Sequence, residues 1–489
     1  MTDKVSLGLL ETGVPGLDTL LGGGLGEYSF NLIAGTPGSG KTTLAHQMMF
    51  SLASPERRAL FFTVLGEPPL KMLRYQQQYS FFELDKVGSA IRYVNLADDL
   101  KNGDFSGVLE RIMREVEAFS PSLVFVDSFR SVAQTAKSGS EGIADLQHFI
   151  QELGTRMTSW QATTFLIGEY AHVDAEANPI MTVADGVLSL SQSQQDNSIV
   201  RKIRIVKMRG QAHMAGMHTF RISGDGVRIF PRLLPPLALD RIPGQPVDRT
   251  PRRISSGVPS LDVLLHGGIP EGHSILVAGP SGSGKTILGT QFLAEGARQG
   301  EKGVAAYFEK GTARLRNAAL AELVQAGHVH IVESRALDLT ADELLQELLD
   351  TIVATGAKRV VLDSLSEVLL YLAPEFRREF RLTVFRILSS LAKLGVTAIV
   401  TLGMEDRFTE LRFSEAEISF LTDGIIVTRY VEMDGELTKV IGVVKLRGCS
   451  HSTALRTFQI TDHGIEIDGE RVRFDGMLSG HPSPQQDGG

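Results

Sequence analysis

The sequence predicts two tandem α/β domains. Each is a mainly parallel sheet flanked by helices with an antiparallel edge, and each is built around a phosphate-binding loop. Three observations predict this. GTPGSGKTT at 35–43 fits the pattern G-x-x-x-x-G-K-[ST]. GPSGSGKTI at 279–287 fits it again. Around both, short Val/Ile/Leu/Phe runs alternate with helical segments, the pattern of parallel sheets covered on both faces.

In the first loop, Gly35, Thr36, Pro37, Gly38, Ser39, Gly40, Lys41, Thr42 and Thr43 are expected to cradle a nucleotide. In the second, Gly279, Pro280, Ser281, Gly282, Ser283, Gly284, Lys285, Thr286 and Ile287 take the same places. Glycines let backbone N–H groups turn inward as an anion nest, and the following helix points its positive end at the phosphates. Lys41 and Lys285 would reach the β/γ-phosphates, and the Thr42 and Thr286 hydroxyls would sit on Mg²⁺. SFNLIA (29–34) reads as a buried strand and LAHQMMFSLA (44–53) as a helix, the context this motif requires. The implied cofactors are ATP and Mg²⁺.

The chain repeats itself beyond the loops. TGVPGLDTLLGGGL (12–25) returns as SGVPSLDVLLHGGI (256–269), and both this pair and Lys41/Lys285 are 244 residues apart. SLVFVDSF (122–129) matches RVVLDSLS (359–366), and VKMRGQAH (206–213) matches VKLRGCSH (444–451). Solenoid units run about 20–50 residues, so these are two whole domains rather than an array. The expected organisation is a first domain over 1–232, a proline-rich linker over 233–252, a second domain over 253–475 and a flexible tail over 476–489.

Within the first half, ALFFTV, SLVFVD, TTFLIG, GVLSLS and RKIRIVKM read as strands and FSGVLERIMREVEAF as an amphipathic helix. GVAAYF, RVVLDS, TAIVTL, GIIVTRY and VIGVVKL follow the same order in the second, with ADELLQELLDTIVATG as the matching helix. The later strands lack long intervening helices, which predicts the antiparallel edge.

Composition bounds the function. With 489 residues, 43% hydrophobic and 22% charged, the chain has the make-up of an ordinary soluble multidomain protein. No apolar run approaches the roughly 18 residues of a membrane span, and MTDKVSLGLLETG lacks the apolar core of a secretory signal. A single cysteine, Cys449, excludes an internal disulfide framework and suits a reducing cytoplasm. A net charge of −8 argues against a nucleic-acid partner.

The chemistry needs further groups. Asp127 and Asp363 each close an apolar run, the place of the carboxylate that holds Mg²⁺, although a lone Asp there also caps a following helix. Glu309 ends a strand soon after the second loop and is the expected base for the attacking water. The 244-residue offset puts Leu65 opposite it, with Glu67 two residues on. Glu169 and Glu405, each after the next strand, are further polar candidates. Lys207 with Arg209, and Lys445 with Arg447, lie two apart on strands and so project from one face. They suit cations that neutralise transition-state charge, often supplied by a neighbouring subunit. His213 and His451 follow at matching spacing and read as structural or nucleotide-adjacent groups, with Cys449 a small packing residue.

Taken together, the tandem loops, the [ST]-G-V-P-x-L-D lead-in, the D-S after the strand-end aspartate, and K-x-R-G-x-x-H with T-D-H-G-I downstream resemble the KaiC family of RecA-like clock ATPases. The similarity covers about 10–470. The resemblance implies a two-ring homohexamer with ATP between subunits, in which Lys207, Arg209, Lys445 and Arg447 reach the neighbour's γ-phosphate. Family members carry two adjacent catalytic glutamates after the loop. Here the first domain has Leu65–Gly66 and the second Glu309–Lys310. The resemblance therefore places hydrolysis mainly in the second domain. The family's phosphorylated Ser–Thr pair corresponds to Ser419 and Phe420, with Ser414 and Thr422 nearby. A segment of the kind that engages KaiA is not expected, whereas a KaiB-like or other signalling partner fits.

The leading reading is an ATP-driven conformational switch. A Ser/Thr autokinase acting on Ser419 across the subunit interface is the alternative. A RecA- or DnaB-like DNA motor and a scaffold in which ATP only joins subunits rank behind these, since a shared fold does not by itself assign function.

Overall fold

The computed structural model describes residues 8–64, 69–99, 105–128, 140–169, 179–195, 198–232, 252–308, 317–333, 340–404, 418–433, 435–469, 474–475 and 483–484. The chain divides into two compact units, Met1–Arg232 and Leu233–Gly489. Of the expected linker only residue 252 is described. Among the described residues no helix is long and apolar enough to cross a membrane.

The first unit is organised by β1 (Phe30–Gly35), β2 (Ala59–Thr63), β3 (Ile91–Asn95), β4 (Leu123–Asp127), β5 (Thr163–Glu169), β6 (Gly186–Gln195), β7 (Ser198–Met208), β8 (His218–Ser223) and β9 (Gly226–Phe230). They form one nine-stranded sheet in the order β3-β2-β4-β5-β1-β6-β7-β8-β9. From β3 to β6 neighbours run parallel, and β7 to β9 extend the sheet antiparallel. The loop strand β1 is therefore central, between β5 and β6.

Both faces are covered, as the continuous apolar runs require. In β2, Ala59 and Phe61 join the core cluster containing Leu44 and Met48 of α1 (Lys41–Leu52). Leu60 and Phe62 point the other way, toward Ile112 of α2 (Phe105–Phe119) and Leu153 of α3 (Ser140–Ser159). Helix α2 buries Val108, Leu109, Ile112, Met113, Val116 and Phe119, one stripe at helical spacing. Each fully buried side chain of this kind contributes about 1.5–3 kcal/mol relative to exposure.

The second unit repeats the plan. Its strands are β10 (Ser274–Gly279), β11 (Gly303–Tyr307), β12 (Val329–Glu333), β13 (Arg359–Asp363), β14 (Thr397–Gly403), β15 (Gly424–Met433), β16 (Glu436–Leu446), β17 (Arg456–Thr461) and β18 (Gly464–Ile467). Their order, β12-β11-β13-β14-β10-β15-β16-β17-β18, matches that of the first sheet strand for strand. Val304 and Ala306 share a cluster with Leu348 of α5 (Ala341–Thr355), while Ala305 packs with Leu288 and Phe292 of α4 (Lys285–Arg298). Helix α5 opens on a capping box, with Glu343 N–H donating to Thr340 Oγ1 at 3.2 Å, and stops at Gly356 with φ 67°.

The repeated lead-in motif proves structural. Thr12 N–H and Oγ1 both donate to Asp18 Oδ1, at 2.9 and 2.7 Å. Ser256 N–H likewise donates to Asp262 Oδ1 at 2.8 Å. Each aspartate closes the turn that opens a short helix whose leucines, among them Leu17, Leu20 and Leu21 in the first unit, are buried. Within the expected tail, Ser483–Pro484 pair antiparallel with Phe474–Asp475.

Candidate functional site

Each phosphate loop joins the central strand to the helix behind it. In the first unit β1 ends at Gly35 and α1 begins at Lys41, three residues earlier than the apolar run alone suggests. Gly40 and Gly284, the residues before each helix, sit at φ 98° and 89°, where a side chain is strained. Gly279 must also be a glycine, because a Cβ there would lie 2.0 Å from Thr428 Oγ1.

The side chains meet as the motif demands. Thr42 Oγ1 donates to Asp127 Oδ2 at 2.7 Å, and Thr286 Oγ1 to Asp363 Oδ2 at 2.6 Å. Lys41 Nζ donates to Thr36 O at 2.8 Å. Lys285 Nζ donates to Gly279 O at 2.9 Å and Pro280 O at 2.7 Å. Thr401 Oγ1 donates to the second Asp363 oxygen. In the first loop the Thr36 and Ser39 hydroxyls are shielded from solvent without a hydrogen-bond partner among the described residues. A threonine hydroxyl on a carboxylate, a lysine over the loop and orphaned loop hydroxyls fit a nucleotide with its magnesium. Mg²⁺ needs only one or two carboxylates when substrate phosphates complete its shell. Among the described residues no cluster of three or more His, Cys, Asp or Glu is arranged to hold a metal independently.

The electrostatics differ between the units. Burial pulls Lys41 below the ordinary lysine range, opposed first by Glu169 and then by Asp127. Burial also pulls Lys285 down, but there the opposing carboxylates are Asp363 and then Glu367. Glu169 ends β5 directly opposite Gly35, while the same register position in the second unit, opposite Gly279, is Gly403. Glu169 and Glu405 are thus not equivalent residues. Glu405, Glu309, Lys310, Leu65, Glu67 and Ser414 lie outside the described residues.

The K-x-R-G cations sit elsewhere in each unit. A β-bulge in the pairing of β6 with β7 immediately precedes Lys207, and a matching bulge in β15 with β16 precedes Lys445. Bulges re-aim side chains. Lys207 Nζ donates to Met181 O at 2.9 Å and Thr182 O at 3.3 Å, and Arg209 Nη2 to Thr182 O at 3.0 Å. Lys445 Nζ donates to Ser419 O at 3.0 Å and Thr422 O at 2.7 Å, and Arg447 Nη2 to Phe420 O at 2.7 Å. In both units the pair grips the turn that leads into the strand beside the loop strand. Burial and the adjacent arginine push Lys207 and Lys445 down, with Asp185 and Asp423 opposing.

Asp185 and Asp423 are residues the sequence reading missed. Asp185 Oδ2 accepts from Phe30 N–H at 3.0 Å and Asp423 Oδ2 from Ser274 N–H at 2.9 Å, which ties each segment gripped by the cations to the start of the loop strand. The repeated Asp–Gly at 185–186 and 423–424 is the signal that marks them. Ser419 lies in a single 3₁₀ turn, Ile418–Phe420, and Thr422 is fully buried.

Comparison with known proteins agrees with this arrangement. A sequence model of the KaiC ATPase family matches residues 10–233 and again 254–472. The chain is 28% identical over 487 residues to the circadian clock oscillator protein KaiC of Picosynechococcus sp., spanning 97% of this chain and 92% of that protein. Proteins of the same name from Rippkaea orientalis and Thermostichus vulcanus are each 28% identical over 97% of this chain and over 91% and 92% of their own lengths.

Proposed function

The chain belongs to the KaiC family of ATPases, and from that premise we propose that it is a nucleotide-driven conformational switch, binding Mg·ATP at both loops and hydrolysing it mainly in the second unit. The observation that carries Mg·ATP binding at both loops is the contact of loop threonine with strand-end aspartate, present in both units, and the division of labour rests on Glu309 against Leu65. Bound Mg²⁺ would neutralise charge on the β- and γ-phosphates. Thr42 with Asp127, and Thr286 with Asp363, hold it, and Lys41 and Lys285 hold the phosphates. Glu309 takes the proton of the attacking water. Leu65 stands at the corresponding place in the first unit and has no proton-accepting group. ATP there acts chiefly as a structural ligand.

In this reading the chain assembles as a two-ring homohexamer in the cytoplasm, with Lys207, Arg209, Lys445 and Arg447 turned toward a neighbour's γ-phosphate. Its nucleotide state governs binding of a KaiB-like or other signalling protein, in keeping with the clock role carried in the relatives' names. The match of both repeats to one family, over nearly the whole chain, favours this over a DNA motor.

Phosphate release and nucleotide retention by Thr42→Val and Thr286→Val test the division of labour. Thr286→Val is expected to lose at least tenfold in turnover, and Thr42→Val to lose nucleotide while keeping most turnover. The reverse pattern would overturn it.

The second reading, an autokinase, is favoured by one observation: Lys445 grips the carbonyls of Ser419 and Thr422, so a cation aimed at nucleotide also holds the acceptor turn. Intact-mass analysis after incubation with Mg·ATP tests it. A phosphate lost in Ser419→Ala supports it, and an unmodified wild type removes it.

A further inference from the structure

The two phosphate loops are tied differently to the strand beside them. In the second unit Thr428, the fifth residue of β15, is buried against the loop. Its Oγ1 lies 2.8 Å from Oγ of the fully buried loop residue Ser283, and 3.5 Å from Ala278 O near the end of β10. Each hydroxyl has one proton to give, so the two bonds form a chain: Ser283 donates to Thr428, and Thr428 donates to the Ala278 carbonyl. In the first unit the fifth residue of β6 is Leu190, paired in register with Gly35. Leucine offers no hydroxyl. Ser39, the counterpart of Ser283, is fully buried, and its Oγ has no hydrogen-bond partner among the described residues. Two residues further along the same strand face, the units agree. Tyr430 Oη donates to Ser281 O and Gln192 Nε2 to Pro37 O, each at 3.4 Å and each to the third residue of its loop. The strand therefore meets both loops in the same place, and the serine tie is the difference.

That tie bears on nucleotide binding. Lys285 closes its own loop from within, through Gly279 O and Pro280 O. To reach the β/γ-phosphates it must leave those carbonyls, and the loop then depends on what holds it from outside. We propose that Thr428 is a positioning residue for nucleotide binding in the second unit, acting through Ser283 to keep the phosphate loop in its nucleotide-ready shape, and that the first loop has no equivalent tie. A loop already in shape binds without a further ordering cost, whereas one in shape only part of the time binds more weakly in proportion. This rests on the reading that both loops bind Mg·ATP, and not on which unit hydrolyses it.

The test compares the full chain as wild type, Thr428→Val, Thr428→Ser, Ser283→Ala and the double variant Thr428→Val with Ser283→Ala. Valine keeps the shape of threonine without the hydroxyl, and serine keeps the hydroxyl. Three quantities are read: melting temperature, equilibrium binding of a fluorescent non-hydrolysable ATP analogue with Mg²⁺ at the site that Lys285→Ala removes, and phosphate release at saturating ATP. Thr428→Val is expected to bind the analogue about tenfold more weakly, because it frees the loop and leaves the buried Ser283 hydroxyl unpaired. Its turnover at saturation should stay within about twofold of wild type, the mark of a residue that acts on binding rather than on the chemical step. Thr428→Ser is expected to bind as wild type does. The double variant should bind no more weakly than Thr428→Val alone, since the two side chains act as one contact. Wild-type affinity in Thr428→Val overturns the proposal, and so does a Thr428→Ser as weak as Thr428→Val. Additive losses in the double variant, or a lower melting temperature with affinity unchanged, would mark Thr428 as a packing residue and overturn it too. If Lys285→Ala removes no analogue binding, the assignment of nucleotide to the second loop fails, and the proposal with it.

Discussion

Acidification should weaken the first unit selectively, through His46. This residue lies one turn beyond Thr42 on α1 and is fully buried. Its Nδ1 pairs with Thr42 O at 2.8 Å, and its ring packs on Phe61 and Tyr93 at 4.4 and 6.1 Å between centroids. Burial pulls its pKa from the ordinary 6.5 to about 4, with the Thr42 carbonyl opposing. The folded state thus takes up its proton at lower pH than the unfolded chain does. The stabilisation is complete above 6.5 and is lost as pH falls toward 4. At about 1.4 kcal/mol per unit the full difference is about 3 kcal/mol, of which about 2 is already lost by pH 5. For a unit of this size that corresponds to a fall of about 4–8 °C in melting temperature. The 244-residue offset places Thr290 at the same position in the second unit, which lacks the effect. Calorimetry at pH 7.5 and 5.0 on wild type and His46→Phe checks this, because phenylalanine keeps the ring and removes the titration. The variant should lose most of the extra acid sensitivity of the first transition. Equal pH dependence in the two proteins would refute the reasoning.

Two further outcomes follow from the same contacts. If Lys445 and Arg447 act on a neighbour's nucleotide, a chain carrying Lys445→Ala and Arg447→Ala should lose about 10³-fold or more in turnover. Mixing it with a Lys285→Ala chain should restore part of the activity through hybrid rings, and failure of every mixture would place these cations outside the chemistry. Arg359 is fully buried, paired with Glu301 at 2.6 Å and stacked over Phe292 at 4.7 Å. Arg359→Ala should destabilise the second unit by about 3–5 kcal/mol in denaturant unfolding, and a change below 1 kcal/mol would show the pair to be dispensable.

The features legible in the sequence were those written in local pattern. The loops, the strand-end aspartates and the apolar runs alternating with helices all lie within a few residues of their own signal. The edge strand β3 was not legible, because only Ile91 and Val94 of Ile91–Asn95 are buried and the run never becomes continuously apolar. Glu367 was hidden for another reason. Its charge bears on Lys285 across some 80 residues of sequence, because the short helix Leu365–Tyr371 that carries it opens directly after β13. The bulges before Lys207 and Lys445 are likewise properties of strand pairing. Lys207 lies at the end of β7 and Arg209 just beyond it, so the two do not share a strand face as their spacing suggests, and the segment they grip lies 25 residues upstream. Glu169 could be named from sequence as a carboxylate at a strand end. Only the register opposite Gly35 distinguishes it from Glu405.

The central claim is that the second unit drives hydrolysis while the first holds its nucleotide. Steady-state phosphate release by wild type and Glu309→Gln, measured side by side, tests it most directly. A general base contributes about 10²–10⁴-fold, so the account predicts that Glu309→Gln loses nearly all activity. Activity that persists in the variant would mean that the first unit hydrolyses ATP despite Leu65, and would contradict the account.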